Sequence, residues 1–460
     1  MRLSDIAQWT QGNLFGDDTI VHLVATDSRV RMPGALFVAL SGDNFDGHDF
    51  VAAAKAEGAA AALVSYVVAV DLPQVVVDDT QIALGDIARA VRAQRHVRVI
   101  GITGSNGKTT VKTLVAAILA LHGKTHVNVG NLNNEIGLPL SLLALPKDAQ
   151  YAVLEMGAGK PGDIAYLAAI ARPEIGLVNN IAPAHLERMG TLSGIAETKG
   201  ALYAALPPDG VAIINADDAF APTFATMNHA QRTIRFGLHH AAEVRADIRN
   251  LTGNAQFVLR VGAERIDIAL PLAGKHNVMN ALAAAAVAHA LEVPLATIKQ
   301  GLESASAVQG RLVRHAVPGG WILIDDSYNA NPGSMRAAID TLSAEGHETW
   351  LVLGDMRELG PTARQLHAQI GEYARDLGIA RLFAVGELSR ASVDAFGPGA
   401  KHYETQEELI AVLTAQVRAG VTMLVKGSRG SAMDLVVKAL LRGAGAGEGT
   451  GLNAGGAHAA

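Results

Sequence analysis

Short apolar runs recur along the whole chain, separated by longer stretches in which apolar and polar residues mix at helical spacing. In residues 1 to 82, ALFVAL and AALVSYV have the continuous apolar character of strands, and FVAAAKAEGA between them reads as a helix ending at Gly58. This predicts a small α/β unit. From 83 to 310, VRVIGIT, YAVLEMG, IGLVNNI and GVAIINAD are β-rich runs separated by helical stretches, an alternation that predicts a parallel sheet covered by helices. A third unit, 311 to 442, alternates WILIDD, TWLVLGD, RLFAVG and TMLVKGS with helical patterns such as MRAAIDTLSA. It also reads as doubly wound, so the expected fold is α/β in three domains. Residues 443 to 460, GAGAGEGTGLNAGGAHAA, carry almost no apolar bulk and are expected to form a disordered tail. No short internal repeat is present.

Composition narrows the function classes more than the fold. A chain of 460 residues exceeds what one hydrophobic core usually supports, and 49% hydrophobic residues give each unit a core to bury. The formal net charge of −6, with no basic block, argues against nucleic acid as the principal partner. The absence of cysteine excludes disulfides, thiolate metal sites and a cysteine nucleophile. MRLSDIAQWTQGNL lacks the regions of a signal peptide, and NALAAAAVAHALEV is too short and too interrupted to span a bilayer. No membrane insertion and a cytoplasmic location are therefore expected.

The first chemistry-bearing segment is GSNGKTT, placed between the strand-like VRVIGIT and the helix-like VKTLVAAILALHG. Glycines let a backbone turn with its N–H groups inward, a lysine adds a point charge to the cradle, and the following hydroxyl reaches Mg²⁺. Gly104, Ser105, Asn106, Gly107, Lys108, Thr109 and Thr110 form that pattern here, although the common motif opens on a glycine where this chain has Ile102. An unliganded glycine-rich turn is the alternative. The agreement of strand, loop, Gly-Lys-Thr-Thr and helix favours a nucleotide triphosphate.

Three polar residues follow at strand ends or just beyond. Glu155 closes the run in VLEMGAG, His185 follows the run in NNIAPAHLERMG, and Lys199 lies on the helical IAETKGAL. A carboxylate and an imidazole suit a divalent metal. Singly, each has an ordinary reading: Glu155 as a helix cap, His185 as a core or loop histidine, Lys199 as a solvated charge. Beside a nucleotide loop, the metal reading gains on the ordinary one.

These segments resemble the Mur ligases of peptidoglycan synthesis. GITGSNGKTT is similar to their ATP loop, EMGAG and NNIAPAHLE to their metal-binding segments, and IAETKG to the segment whose lysine is carbamylated. GKHNVMNALAA resembles the adenine-side asparagine motif, and DDSYNANPGSM the opening of the C-terminal domain. The resemblance extends over nearly the whole chain up to the tail. Within the family, NVGNLNNEIGLP, AHLERMGTLSGIAETKG, DDSYNANPGSM and LVLGDMRELG look most like members that add D-Ala-D-Ala, and the Asp-Asn-Pro-Arg motif of the diaminopimelate-adding members is absent.

The resemblance implies an N-terminal UDP-binding domain, a central ATPase domain and a Rossmann-like C-terminal domain. It implies ATP-dependent joining of D-Ala-D-Ala to UDP-N-acetylmuramoyl-tripeptide through an acyl phosphate, by a chain expected to act as a monomer. Lys108 would hold the β and γ phosphates. Thr109 would bind one Mg²⁺; Glu155, His185 and Lys199 as a carbamate would hold a second. Asn277 and Asn280 would face adenine, with an ordinary helix cap and an exposed amide as the alternative. Arg311 would reach the ATP phosphates and Asp326 the ribose when the third domain closes, although Asp326 also suits a turn at a strand end. Ser28 and Arg29, in TDSRVRMPGALFVALSG, would contact the uridine nucleotide, and Asn134 the muramoyl side. A different Mur-type ligase, a P-loop phosphotransferase and a non-catalytic nucleotide-binding scaffold are the competing readings.

Overall fold

The all-buried strands Ala35–Val38 and Ala61–Val64 pair in parallel, Phe37 opposite Ala62, with the helix Val51–Ala56 crossing between them. They form the centre of a five-stranded sheet in the order Asn13–Phe15, Gln74–Val76, Ala61–Val64, Ala35–Val38, Leu23–Ala25. The structure is a computed structural model that describes residues 1–445 apart from 43, 184, 185 and 347. His185 and the tail from 446 onward therefore lie outside the described residues.

A single helix, Thr80–Ala93, joins the first unit to the second. Asp79 starts it by accepting from the N–H groups of Gln81 and Ile82, an N-cap that satisfies otherwise orphaned donors. Its residues Ala83, Leu84 and Ile87 pack in one core with Leu3 and Ile6, whereas Ala88 packs in another with Val99 and Leu154. A division drawn between 82 and 83 thus falls inside a helix that two cores share.

The central sheet has nine strands, in the order Glu264–Leu270, Ala255–Val261, Val244–Asn250, Arg232–Phe236, Val211–Asn215, Ile175–Val178, Arg98–Thr103, Tyr151–Glu155, Thr125–Val127. Its core is parallel, but Val244–Asn250, Ala255–Val261 and Glu264–Leu270 pair antiparallel to one another. The expected parallel sheet is present, and an antiparallel ribbon extends it at one edge. Along Ala255–Val261 buried and more exposed positions alternate, as in a sheet with one packed face, and an antiparallel ribbon tolerates this where a parallel strand does not. The packed face meets the helix Lys275–Ala290, in which every residue from Ala281 to Ala288 is fully buried. Small alanines let that helix sit close to both the sheet and the helix Lys108–Ala120. No described helix is long and apolar enough to cross a membrane.

The third sheet runs Val313–Val317, Trp321–Asp326, Val421–Lys426, Glu348–Leu353, Arg381–Val385, Ala400–Tyr403, all parallel except the first edge pair. Strand periodicity divides its residues between two cores: Trp350 and Val352 face one, Leu351 and Leu353 the other. Helices on both faces bury the two, which is the doubly wound arrangement expected. In both large sheets, the carboxyl ends of the central parallel strands carry the polar residues of interest. Ile102 lies opposite Glu155, Thr103 opposite Val178, and Asp326 opposite Lys426.

Candidate active site

The strand Arg98–Thr103 ends where its neighbours end, so the loop 104–107 emerges between Glu155 and Asn179, at the position where open α/β sheets bind ligands. Gly107 adopts φ 78° and starts the helix Lys108–Ala120; a Cβ there would lie 2.4 Å from Asn280 Oδ1. Gly104, at φ 147°, lies against the backbone of Asn179 and Asn180. Asparagines on three other segments fix the loop. Asn180 Oδ1 accepts from Asn106 N–H at 2.9 Å, Asn179 Nδ2 donates to Asn106 O at 2.9 Å and to Asn280 Oδ1 at 2.9 Å, and Asn331 Nδ2 donates to Asn106 Oδ1 at 2.7 Å.

Thr109 connects two of the predicted groups, Glu155 and Arg311. Its hydroxyl donates to Glu155 Oε2 at 2.9 Å and accepts from Arg311 Nη2 at 2.9 Å, while Asn133 Nδ2 donates to Glu155 Oε1 at 2.8 Å. Burial pushes the Glu155 carboxyl up, but the Lys108 and Lys112 ammonium groups and the two hydrogen bonds outweigh it and hold the carboxyl below its ordinary value. Lys108 donates to Gly104 O at 2.9 Å. Burial lowers its pKa and Arg311 lowers it further, against the opposing pull of Glu155.

The third unit closes the other side. Asp326 pairs with Lys426 at 2.6 Å, and Lys426 also donates to Asn329 O at 2.8 Å. Burial raises the Asp326 pKa while Lys426 and Arg311 oppose the rise. The Arg311 guanidinium lies over the Tyr328 ring, 4.4 Å from its centroid.

These groups surround a cavity of about 760 Å³. Ser105, Asn106, Gly107, Lys108, Thr109, Thr110, Asn134, Glu155, Asn277, Asn280, Arg311 and Asp326 all line it. Gly104 lies behind the loop as the acceptor for Lys108. Lys199 is 2% exposed on the helix Leu192–Ala204 and does not line the cavity; burial takes its amine well below the ordinary pKa, Lys108 adds to the fall and Asp163 opposes it. Ser28 and Arg29 are also away from the cavity, and Arg29 closes on Asp27 with contacts of 2.8 Å.

The sequence matches the family models described as Mur ligase family, catalytic domain (residues 20–92), Mur ligase middle domain (102–288) and Mur ligase, glutamate ligase domain (310–429). It is 43% identical over 442 residues, 95% of this chain and 98% of the relative, to the UDP-N-acetylmuramoyl-tripeptide--D-alanyl-D-alanine ligase of Escherichia coli (strain K12). The chain belongs to the Mur ligase family. Its fold matches a crystal structure of MurF from Acinetobacter baumannii at TM-score 0.91 and 36% identity, covering 95% of this chain and 98% of that one. A crystal structure of the MurF ligase from Thermotoga maritima in complex with ADP matches at TM-score 0.83 and 27% identity, covering 94% and 99%.

For a Mur ligase, the cavity fits a magnesium nucleotide. The glycine at 107 leaves no room for a Cβ and that at 104 little, Lys108 begins a helix whose N-terminus favours anions, and Thr109 and Glu155 offer hard oxygen donors. Sequence reasoning missed Lys426, Tyr328 and Asn331 as parts of this Mur ligase site. Tyr328 and Asn331 stand in the DDSYNANPG segment already singled out, but the strand register that sets Lys426 against Asp326 is a long-range pairing.

Proposed function

We propose that this Mur ligase joins D-alanyl-D-alanine to UDP-N-acetylmuramoyl-tripeptide at the expense of ATP, giving the pentapeptide product, ADP and phosphate. The observation that carries this reading is the chain Glu155–Thr109–Arg311, which links the nucleotide loop to a strand-end carboxylate and to the third unit inside one cavity. The relatives named above supply the substrates.

A carboxylate does not react with an amine at useful rates because its oxygen is a poor leaving group. In the proposed reaction the tripeptide carboxylate attacks the γ-phosphorus and ADP leaves; the dipeptide amine then attacks the acyl carbon, and phosphate leaves with one former carboxylate oxygen. Lys108 and the N–H groups of the loop hold the phosphates and offset charge that develops during transfer. A bound Mg²⁺ supplies charge neutralisation between the anionic reactants. Thr109 would hold one such ion, and Glu155 a second, with His185 and Lys199 completing the second set. Lys199 would serve as a carbamate: carbamylation requires a neutral amine, and the burial of this lysine favours one. Asn277 and Asn280 face adenine, Asp326 the ribose, and Asn134 the muramoyl side. Ser28 and Arg29 contact the uridine nucleotide on the N-terminal unit, outside the cavity. The enzyme is proposed to act as a monomer in the cytoplasm, where ATP is available.

The test is ADP release followed by mass spectrometry with ATP, Mg²⁺, UDP-N-acetylmuramoyl-tripeptide and D-Ala-D-Ala, each omitted in turn. A product heavier by the dipeptide less one water, formed only in the complete mixture, is expected. ADP formation without the dipeptide product would point to a phosphotransferase instead.

A further inference from the structure

The mechanism above gives no role to the buried cation of Lys112. Lys112 lies one turn beyond Lys108 on the helix Lys108–Ala120, is 5% exposed and does not line the cavity, so it cannot touch substrate there. Its ammonium donates to Asn128 O at 2.8 Å and stands 3.5 Å from Glu155 Oε2, the oxygen that also accepts from Thr109. Asn128, 1% exposed, follows the edge strand Thr125–Val127 and extends the sheet with its side chain. Its Oδ1 accepts from Glu155 N–H at 3.0 Å, and its Nδ2 donates to Glu155 O at 3.0 Å and to Leu132 O at 2.8 Å. The backbone of Glu155 is thereby clamped by Asn128, and its carboxylate is paired with a cation tied to the same asparagine.

We infer that Lys112 is a positioning residue for metal loading: tethered to Asn128, it pairs with Glu155 and lowers the affinity of that carboxylate for a divalent cation, so that the cation arrives and leaves with the nucleotide. The inference rests on the reading that Glu155 faces the metal. A lysine with a purely structural role predicts unchanged or weaker metal binding when it is removed. A tuning cation predicts the opposite, because a carboxylate freed of its partner attracts a divalent ion more strongly in surroundings of low dielectric.

The experiment is Mn²⁺ binding to the full chain, followed by electron paramagnetic resonance with and without ADP, on wild type, Lys112→Met, Lys112→Arg and Glu155→Gln, with thermal melts on each. Lys112→Met is expected to bind Mn²⁺ at least about tenfold more tightly without nucleotide, the repulsion removed being that of a nearby cation on a divalent ion. Lys112→Arg should bind as wild type does, and Glu155→Gln should bind more weakly in the ADP complex. Lys112→Gln, which keeps a donor for Asn128, replaces Lys112→Met if the methionine variant fails to fold. Unchanged or weaker Mn²⁺ binding in the charge-removing variant, with Glu155→Gln weakened, overturns the inference and leaves the ligase reading standing. Unchanged binding in Glu155→Gln removes the metal role of Glu155 and the inference with it, whereas loss of ligase product in wild type would be a separate failure.

Discussion

Gly107→Ala places a methyl group where the nucleotide loop has least room. Residue 107 sits at φ 78°, and an added Cβ would lie 2.4 Å from Asn280 Oδ1 and 2.5 Å from Asn179 Nδ2, the two atoms of a 2.9 Å hydrogen bond. Left-handed backbone costs an alanine about 1 kcal/mol relative to glycine. Separating the two amides to admit the methyl leaves buried polar groups unpaired, at about 1–3 kcal/mol. The sum, about 2–4 kcal/mol, corresponds to roughly 30- to 700-fold in an equilibrium constant. If the loop keeps its shape the loss appears as lower unfolding free energy; if the loop moves to relieve the clash, it appears as weaker nucleotide binding. Urea unfolding together with calorimetric titration of Mg·ADP measures both. A Gly107→Ala protein that keeps wild-type stability and binds Mg·ADP within a few-fold of wild type would refute the close-packed loop described here.

Lys426→Met should destabilise the chain by about 3–5 kcal/mol in urea unfolding, because it leaves Asp326 buried without its partner at 2.6 Å; the double variant with Asp326→Asn should recover most of that loss. His276 is pushed down to about 4, by burial first and by Lys426 second. The folded state therefore binds fewer protons than the unfolded one between about 4 and the ordinary value of 6.5, and stability should fall as pH falls through that window, with a shallower slope in His276→Gln. Asn331→Ala removes the cap of the helix Pro332–Ser343 and the 2.7 Å bond to Asn106. It should lower the unfolding free energy by about 1 kcal/mol through the lost cap and raise the KM for ATP through the lost contact with the loop.

The parts of the site that lie within one short segment were legible in the sequence. The loop from Gly104 to Thr110 and Glu155 at its strand end follow from local pattern, and both sit where the strand-helix alternation implies. What escaped depends on pairing across long separations. Lys426 meets Asp326 because Val421–Lys426 lies beside Trp321–Asp326, and no local signal links segments so far apart. Lys112 reads as one more polar residue on an apolar helix until the strand Tyr151–Glu155 is set beside it. The antiparallel ribbon went unread, although AQFVLRV alternates and Gly262 offers the turn. The helix Thr80–Ala93 carries apolar residues for two cores, so composition gives no break where the first core ends.

In the proposed reaction the cavity activates a carboxylate by phosphorylation before an amine displaces the phosphate. Tripeptide substrate carrying ¹⁸O at both oxygens of its terminal carboxylate, turned over with ATP, Mg²⁺ and D-Ala-D-Ala, tests that order directly by mass spectrometry of the released phosphate. The account predicts one ¹⁸O in phosphate for each pentapeptide formed. Unlabelled phosphate accompanying labelled water would contradict it.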